Sequence, residues 1–240
     1  MSASHPLSSP QTPDPDPEGG RGALVEFLAA ATRPLRHGMR ELEHALERTL
    51  HPWRHLRALR ALEASPVRSV TFVCLGNICR SPFAEYRLRA LLEGPRAGVG
   101  RTAPTGPVEG LSQETPAAAS VDSVGFILPG RPSPEVAQSV AGEFGLDLTP
   151  HRSRILTDEV AATSDLLLVM TTRQLRDVGR RYPRARTLHL GDLDPGPVPR
   201  RDIDDPYGNP LETFRRVYRR IDRILPVLRD RMGGSRSDED

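Results

Sequence analysis

Lysine is missing from this chain of 240 residues, whose 33 basic residues are all arginine. Set against 31 acidic residues, they leave a net charge of only +2, too small by itself to imply a nucleic-acid partner. Using arginine to the exclusion of lysine points to a genomic composition bias rather than to a binding surface. Cysteine is scarce too: Cys74 and Cys79 are the only two, and they share one short segment. No histidine or further cysteine stands near them at zinc-ligand spacing, which argues against a structural zinc site. No run of about eighteen apolar residues is present, so no transmembrane helix is expected. The first residues lack the basic-then-apolar plan of a secretory signal. A free thiol also suits a reducing compartment, so a cytoplasmic location is expected. No internal repeat is visible.

What is there is unevenly distributed. Residues 1–22 are rich in Pro, Ser and Asp and are expected to form a disordered tail. Residues 23–66 shift to Leu, Ala, Arg and Glu. Leu35, Met39, Leu42, Leu46, Leu50, Trp53, Leu56 and Leu59 recur there every three or four positions, predicting an amphipathic helical extension interrupted near Pro34 and Pro52. It is expected to pack on the rest of the chain as a helical hairpin. The sharper alternative is a helix for self-association, partner binding or a membrane surface, since Arg outnumbers Glu there. Residues 67–232 read as the main domain, with a flexible insertion over 93–119 dense in Gly, Pro, Thr and Ala. Residues 233–240 read as a flexible tail.

Within the main domain, strand and helix patterns alternate. Ser69–Val73 reads as a buried strand and Phe83–Leu92 as a helix. A helix follows around Pro134–Phe144, then a strand over Asp165–Met170, a helix over Thr172–Arg181 and a short strand over Thr187–Leu190. The closing helix, Leu211–Met232, gathers Phe214, Val217, Tyr218, Ile221, Leu225 and Leu228 on one face. This alternation predicts an α/β fold: a small, twisted parallel sheet with helices on both faces. Its functional loop belongs at the carboxyl ends of the strands.

That loop is Cys74-Leu75-Gly76-Asn77-Ile78-Cys79-Arg80-Ser81-Pro82. Strand, tight loop and helix N-terminus place a thiol, a guanidinium and unpaired backbone N–H groups around one concavity. Only the thiolate attacks, and the positive end of a helix stabilises both a thiolate and a bound phosphate. Gly76 is expected to let the loop wrap closely around an anion, its successive amides forming a nest for phosphate oxygens. Arg80 can grip two of those oxygens and stay charged. The Ser81 hydroxyl is placed to donate to the Cys74 sulfur and ease its later departure. Asp202, Asp204 and Asp205 are candidate proton donors in a later loop. Only Asp205 has a rigid Pro behind it, and the other two are expected to be a solvated turn.

Val73–Pro82 resembles the phosphate loop of the low-molecular-weight protein tyrosine phosphatases. The likeness runs in order from about Val67 to Arg231 through Asp122–Gly125, His151–Thr157, Asp165–Met170, Leu190–Asp192 and Asp205–Gly208. Asp122–Gly125 resembles the family's second strand, which implies a sheet of about four strands. The resemblance implies Cys74 as nucleophile, Arg80 as phosphate clamp and Asp205 as general acid. Leu75, Gly76, Asn77, Ile78, Cys79 and Ser81 would complete the phosphate loop. Ser123 and His151 would join Asn77 and Ser81 in a network holding its shape, a surface position being the other reading of His151. Ile78 and Tyr207 would wall the pocket, and Gly208 would leave its rim more open. No metal and no cofactor are implied. The implied partner is a phosphotyrosine protein, with a bacterial tyrosine kinase as one candidate.

Three alternatives stand beside that reading. An arsenate reductase using a small thiol cofactor shares such a loop and would need only Cys74. Related phosphatases that act on phosphoarginine carry Thr where Ile78 stands. A non-catalytic phosphoprotein-binding module is disfavoured by the presence of nucleophile, clamp and acid together. Cys79 is either a small buried residue or a reversible disulfide partner that protects Cys74 from over-oxidation.

Overall fold

The computed structural model describes residues 45–94, 119–198 and 200–232. The expected tails over 1–22 and 233–240, most of the insertion over 93–119 and the region around Pro34 lie outside the described residues.

Four strands form one sheet in the order β2-β1-β3-β4: β1 Ser69–Val73, β2 Ser120–Val124, β3 Leu166–Val169 and β4 Thr187–His189. Every pairing is parallel, with Val70 opposite Val121 on one side and Leu166 on the other. The two inner strands, SVTFV and LLLV, are buried on both faces, the expected fate of continuous β-branched and aliphatic runs. Alternate side chains divide between two cores. Val70, Phe72, Leu166 and Leu168 enter the larger one, while Val73, Leu167 and Val169 enter the smaller.

The larger core is closed by α1 (residues 45–63), α2 (Arg80–Glu93), α3 (Glu135–Gly142) and the closing helix α6 (Leu211–Met232). All six residues expected on the buried face of α6 are buried, and Ile224 joins them. Phe83 of α2 stacks on Tyr218 of α6 with ring centroids 3.9 Å apart, and Phe144 meets Phe83 edge-on at 5.1 Å. Stacked pairs of this kind contribute about 0.5–1.5 kcal/mol beyond the area they bury. The smaller core is covered by α4 (Asp158–Thr163) and α5 (Thr172–Arg181). Thr171 and Gln174 cap α5 reciprocally, fixing its start directly after β3. The short helix α4 was not foreseen. Its Thr157 cap and acidic first turn are ordinary start signals, but six residues are too few to show a period.

The helical extension departs from expectation at Pro52, where α1 continues unbroken. Proline removes one intrahelical hydrogen bond. Tertiary bonds from His51 and His55 on either side hold the helix in place: they reach the carbonyls of Asp194 and Asp192 at 2.8 and 2.9 Å. Ala58 and Leu62 bury the same helix in the larger core.

The chain reverses its direction across the sheet between β1 and β3, since β1 leads outward to β2 and β3 leads the other way to β4. The loop after β1 therefore lies at the carboxyl edge beside a topological switch, where α/β sheets leave a crevice.

Candidate active site

The floor of that crevice is Cys74, buried at the end of β1. Its sulfur accepts hydrogen bonds from the Asn77 N–H at 3.2 Å and the Ser81 hydroxyl at 3.1 Å. The loop then enters α2 with Cys79 at the cap position and no side chain bonded to the helix's free N–H groups. Those donors and the positive end of the dipole are left to face an anion.

The loop's conformational freedom does not come from Gly76, as the sequence suggested. Among the described non-glycine residues, Asn77 is one of two with positive φ, at 50°, and a Cβ on Gly76 would meet only ordinary contacts. A left-handed Asn is tolerated because its short polar side chain finds local bonds, and here it is fully employed. Asn77 Nδ2 donates to Ser81 at 2.9 Å and to Ser123 at 2.8 Å, while Oδ1 accepts the Arg154 N–H at 2.7 Å. A backbone N–H can only donate, so it fixes which end of the amide faces the serines. Each serine then passes its own hydrogen onward, Ser81 to the sulfur at 3.1 Å with the Val124 carbonyl farther off at 3.4 Å, and Ser123 to Glu85 Oε2 at 2.5 Å. His151 closes the set: it is buried, not a surface residue, and its Nε2–H donates to the Asn77 carbonyl at 2.7 Å. Gly125 completes the support by its lack of a side chain, because a Cβ there would lie 2.8 Å from both Asn77 N and Leu75 O.

Burial pushes the Glu85 carboxyl above the ordinary range, with the Ser123 hydrogen bond and Arg89 opposing it. Burial also raises the Cys79 thiol far above normal, and the nearby Cys74 and Asp205 charges push the same way, so Cys79 stays protonated. Both cysteines are free. Burial lowers His151 below its ordinary value of 6.5. The unfolded chain therefore takes up a proton at this residue before the folded one does. Stability from this source is full above about pH 6.5 and declines as the pH falls toward the folded value. His151→Gln, which retains an N–H donor, should lose less melting temperature than the parent between about pH 7.5 and 5. An equal loss in both proteins would refute this.

Arg80 is buried and lines the pocket with Cys74. Its Nη1 donates to the Ile203 carbonyl at 2.9 Å and its Nη2 pairs with Asp205 Oδ2 at 2.5 Å. Its Nε has no partner, one of three such buried side-chain atoms among the described residues. A buried unpaired donor costs about 1–3 kcal/mol, so a bound anion has a donor waiting for it. Asp205 stands at the pocket edge with its side chain about half exposed. The other two acids differ from each other. Asp204 is a surface partner of Arg200 at 3.4 Å. Asp202 is not a solvated turn: it accepts from Thr172 N at 2.8 Å, Thr172 Oγ1 at 2.7 Å and His189 Nε2 at 3.0 Å. Burial opposes ionisation of Asp202, but those bonds win and hold its carboxyl well below the usual range.

The cavity has a volume of about 160 Å³ and includes Leu75, Gly76, Ile78, Cys79 and Tyr207 as expected. It also includes Ile127 and Arg131, which the sequence did not suggest. Arg131 lies over the Tyr207 ring at 6.0 Å. Leu75, Ile127 and Tyr207 are exposed by 47%, 41% and 54%, so they form an apolar rim above a polar floor. No local pattern marks Ile127 or Arg131, since both stand on the irregular segment after β2.

A thiol beneath free helix amides and an arginine, at the carboxyl edge of a parallel sheet, is the layout of a cysteine-dependent phosphatase. The family described as low molecular weight phosphotyrosine protein phosphatase matches residues 69–236. The probable low molecular weight protein-tyrosine-phosphatase EpsP of Ralstonia solanacearum is 30% identical over 170 residues, covering 68% of this chain and 97% of that protein. Among solved structures, the tyrosine phosphatase Wzb from Escherichia coli K30, in complex with sulphate, superposes with a TM-score of 0.55 and 29% identity, covering 70% of this chain and 99% of Wzb. The YwlE arginine phosphatase from Geobacillus stearothermophilus gives 0.54 and 26%, covering 70% and 93%. The chain belongs to the low molecular weight phosphotyrosine protein phosphatase family.

Proposed function

We propose that this chain hydrolyses phosphotyrosine in proteins through a phosphocysteine intermediate, with Cys74 as nucleophile, Arg80 as clamp and Asp205 as general acid. The observation that carries the reading is the buried, unpartnered Arg80 Nε in the same pocket as the Cys74 sulfur. A phosphate dianion accepts from that nitrogen, from the α2 amides and from Arg80 Nη2 once Asp205 has moved off it. Asp205 enters the reaction protonated. The Cys74 thiolate attacks phosphorus in line, the bond to the tyrosyl oxygen breaks, and Asp205 gives that oxygen its proton. Asp205, now ionised, takes a proton from water as the water oxygen bonds to phosphorus. The S–P bond breaks, phosphate leaves, and thiolate and acid are restored. Ser81, donating to sulfur, stabilises the departing thiolate, and Arg80 with the loop amides stabilises the equatorial oxygens throughout.

The apolar rim favours an aryl phosphate, whose flat ring reaches from floor to rim against Ile78 and Tyr207. Arg131 disfavours phosphoarginine, because its guanidinium sits over Tyr207 where a second guanidinium would be repelled. The only cysteines of the chain are both in the loop. An arsenate reductase here would therefore draw on an external thiol. A bacterial tyrosine kinase is one candidate substrate of this chemistry. The free thiol fits a reducing cytoplasm, and no helix among the described residues is long and apolar enough to cross a membrane.

The test is vanadate-sensitive hydrolysis of a phosphotyrosine peptide, with a phosphoarginine peptide and thiol-dependent arsenate reduction run in parallel. Phosphotyrosine is expected to turn over fastest. Faster phosphoarginine cleavage, or arsenate reduction without esterase activity, would overturn the reading.

A further inference from the structure

The family match begins at residue 69, so α1, over residues 45–63, lies outside it. Two of its polar contacts, from His51 and His55, converge on one place. The His51 ring is buried and its Nε2 lies 2.8 Å from the Asp194 carbonyl, while His55 Nδ1 lies 2.9 Å from the Asp192 carbonyl. A carbonyl only accepts, so both ring nitrogens carry hydrogen. Asp192 belongs to the short 3-10 turn Leu190–Leu193, and Asp194 caps that turn at the head of the connection to α6 that carries Asp205.

The bonds continue from Asp194 along that loop. Its carboxylate is fully buried and held by Arg220 Nε at 3.0 Å and by Arg223 at 2.9 and 2.8 Å. The same Arg220 donates to the carbonyl of Asp202 at 2.8 Å and to those of Arg200 and Arg201 at 2.8 and 3.2 Å. The next residue, Ile203, donates its N–H to the Met170 carbonyl and gives its own carbonyl to Arg80. One hydrogen-bonded chain therefore runs from His51 through Asp194 and Arg220 to Asp202 and Ile203, just short of Asp205. Asp205 itself is half exposed and is held locally by Arg80 Nη2, by the Tyr207 N–H at 3.3 Å and, at its carbonyl, by Asn209 Nδ2 at 3.2 Å, while the backbone that leads into it is fixed at Asp202 and Ile203.

We infer that α1 is a brace for the acid loop, with His51 as a positioning residue that sets where Asp205 meets the leaving oxygen. The inference rests on the assignment of Asp205 made above. Ala58 and Leu62 supply the helix's apolar anchorage, whereas an imidazole at position 51 adds directed bonding to one carbonyl. A general acid works only within hydrogen-bond reach of its proton acceptor, and a misplacement of about 1 Å can cost a hundred-fold in rate.

The experiment compares kcat/KM for phenyl phosphate, whose leaving group needs a proton, with that for 2,4-dinitrophenyl phosphate, whose leaving group does not. His51→Leu in the full chain is expected to lose about ten-fold on phenyl phosphate and less than about two-fold on the activated ester. His51→Gln, which restores an N–H donor, should recover most of the loss. His55→Leu, at the half-buried neighbouring ring, should show the same split to a smaller degree and serves if His51→Leu does not fold. Asp205→Asn is the control. If it shows no leaving-group dependence, the acid assignment itself fails. If it does, while the histidine variants lose both substrates equally or neither, the brace is refuted and the acid stands.

Discussion

Cys74→Ser is expected to lower turnover of an aryl phosphate by about four orders of magnitude or more, the scale seen when a nucleophile is removed from a working site. An alcohol is almost entirely un-ionised at neutral pH and attacks phosphorus poorly without a base beside it. Among the described residues the hydrogen-bond partners of the sulfur are the Asn77 N–H and the Ser81 hydroxyl, both donors to it and neither a base. The same neighbours make the change gentle for the fold. Serine oxygen accepts both bonds and occupies slightly less space in a buried position, so phosphate or vanadate binding should persist while catalysis is lost. Binding is read by thermal shift with phosphate, and chemistry by phenol release. Turnover within ten-fold of the parent would contradict the assignment of the nucleophile.

Arg80→Lys should be the next most damaging, with kcat down by about a thousand-fold and KM changed much less. The charge survives, but the fork does not. Arg80 spans from the Ile203 carbonyl through Asp205 to an open Nε, three directions that one ammonium on a flexible stem cannot fill together. Lysine would bind the ground-state dianion nearly as well and fail to follow the equatorial oxygens as they flatten in the transition state. Steady-state kinetics on phenyl phosphate separate the two parameters. A rise in KM with kcat intact would mean that Arg80 only collects the substrate.

Arg80 and Asp205 pair at 2.5 Å in the pocket, and the segment before Asp205 is fixed by Arg220 and, through Asp194, by α1.

The parts legible in the sequence are those whose chemistry is local. The run from Cys74 to Pro82 carries strand end, turn and helix start within nine positions, and the structure builds the cradle there. The apolar face of α6 and most of the alternation followed from periodicity, whereas β2 was reached only through the family resemblance. What was missed depends on distant segments meeting. The left-handed residue is Asn77 rather than its glycine neighbour, because Ser123, His151 and Arg154 supply the bonds that hold it. Glu85 was not singled out as a site residue, yet it lies one turn beyond Ser81 on the buried face of α2. That spacing was a usable signal. Asp202 gave none, since its partners Thr172 and His189 come from the ends of other elements. The two histidines of α1 stand one turn apart and so share a face, but only the fold reveals the carbonyls they meet.

The central claim is a covalent bond between phosphorus and the sulfur at position 74, and it can be looked for directly. The enzyme is mixed with excess phenyl phosphate, denatured within milliseconds, digested and mapped by mass spectrometry. The account predicts a phosphorylated peptide containing Cys74, absent from Cys74→Ser and from samples inhibited with vanadate. Phosphate on another residue, or steady turnover with no labelled enzyme at any quench time, would contradict it.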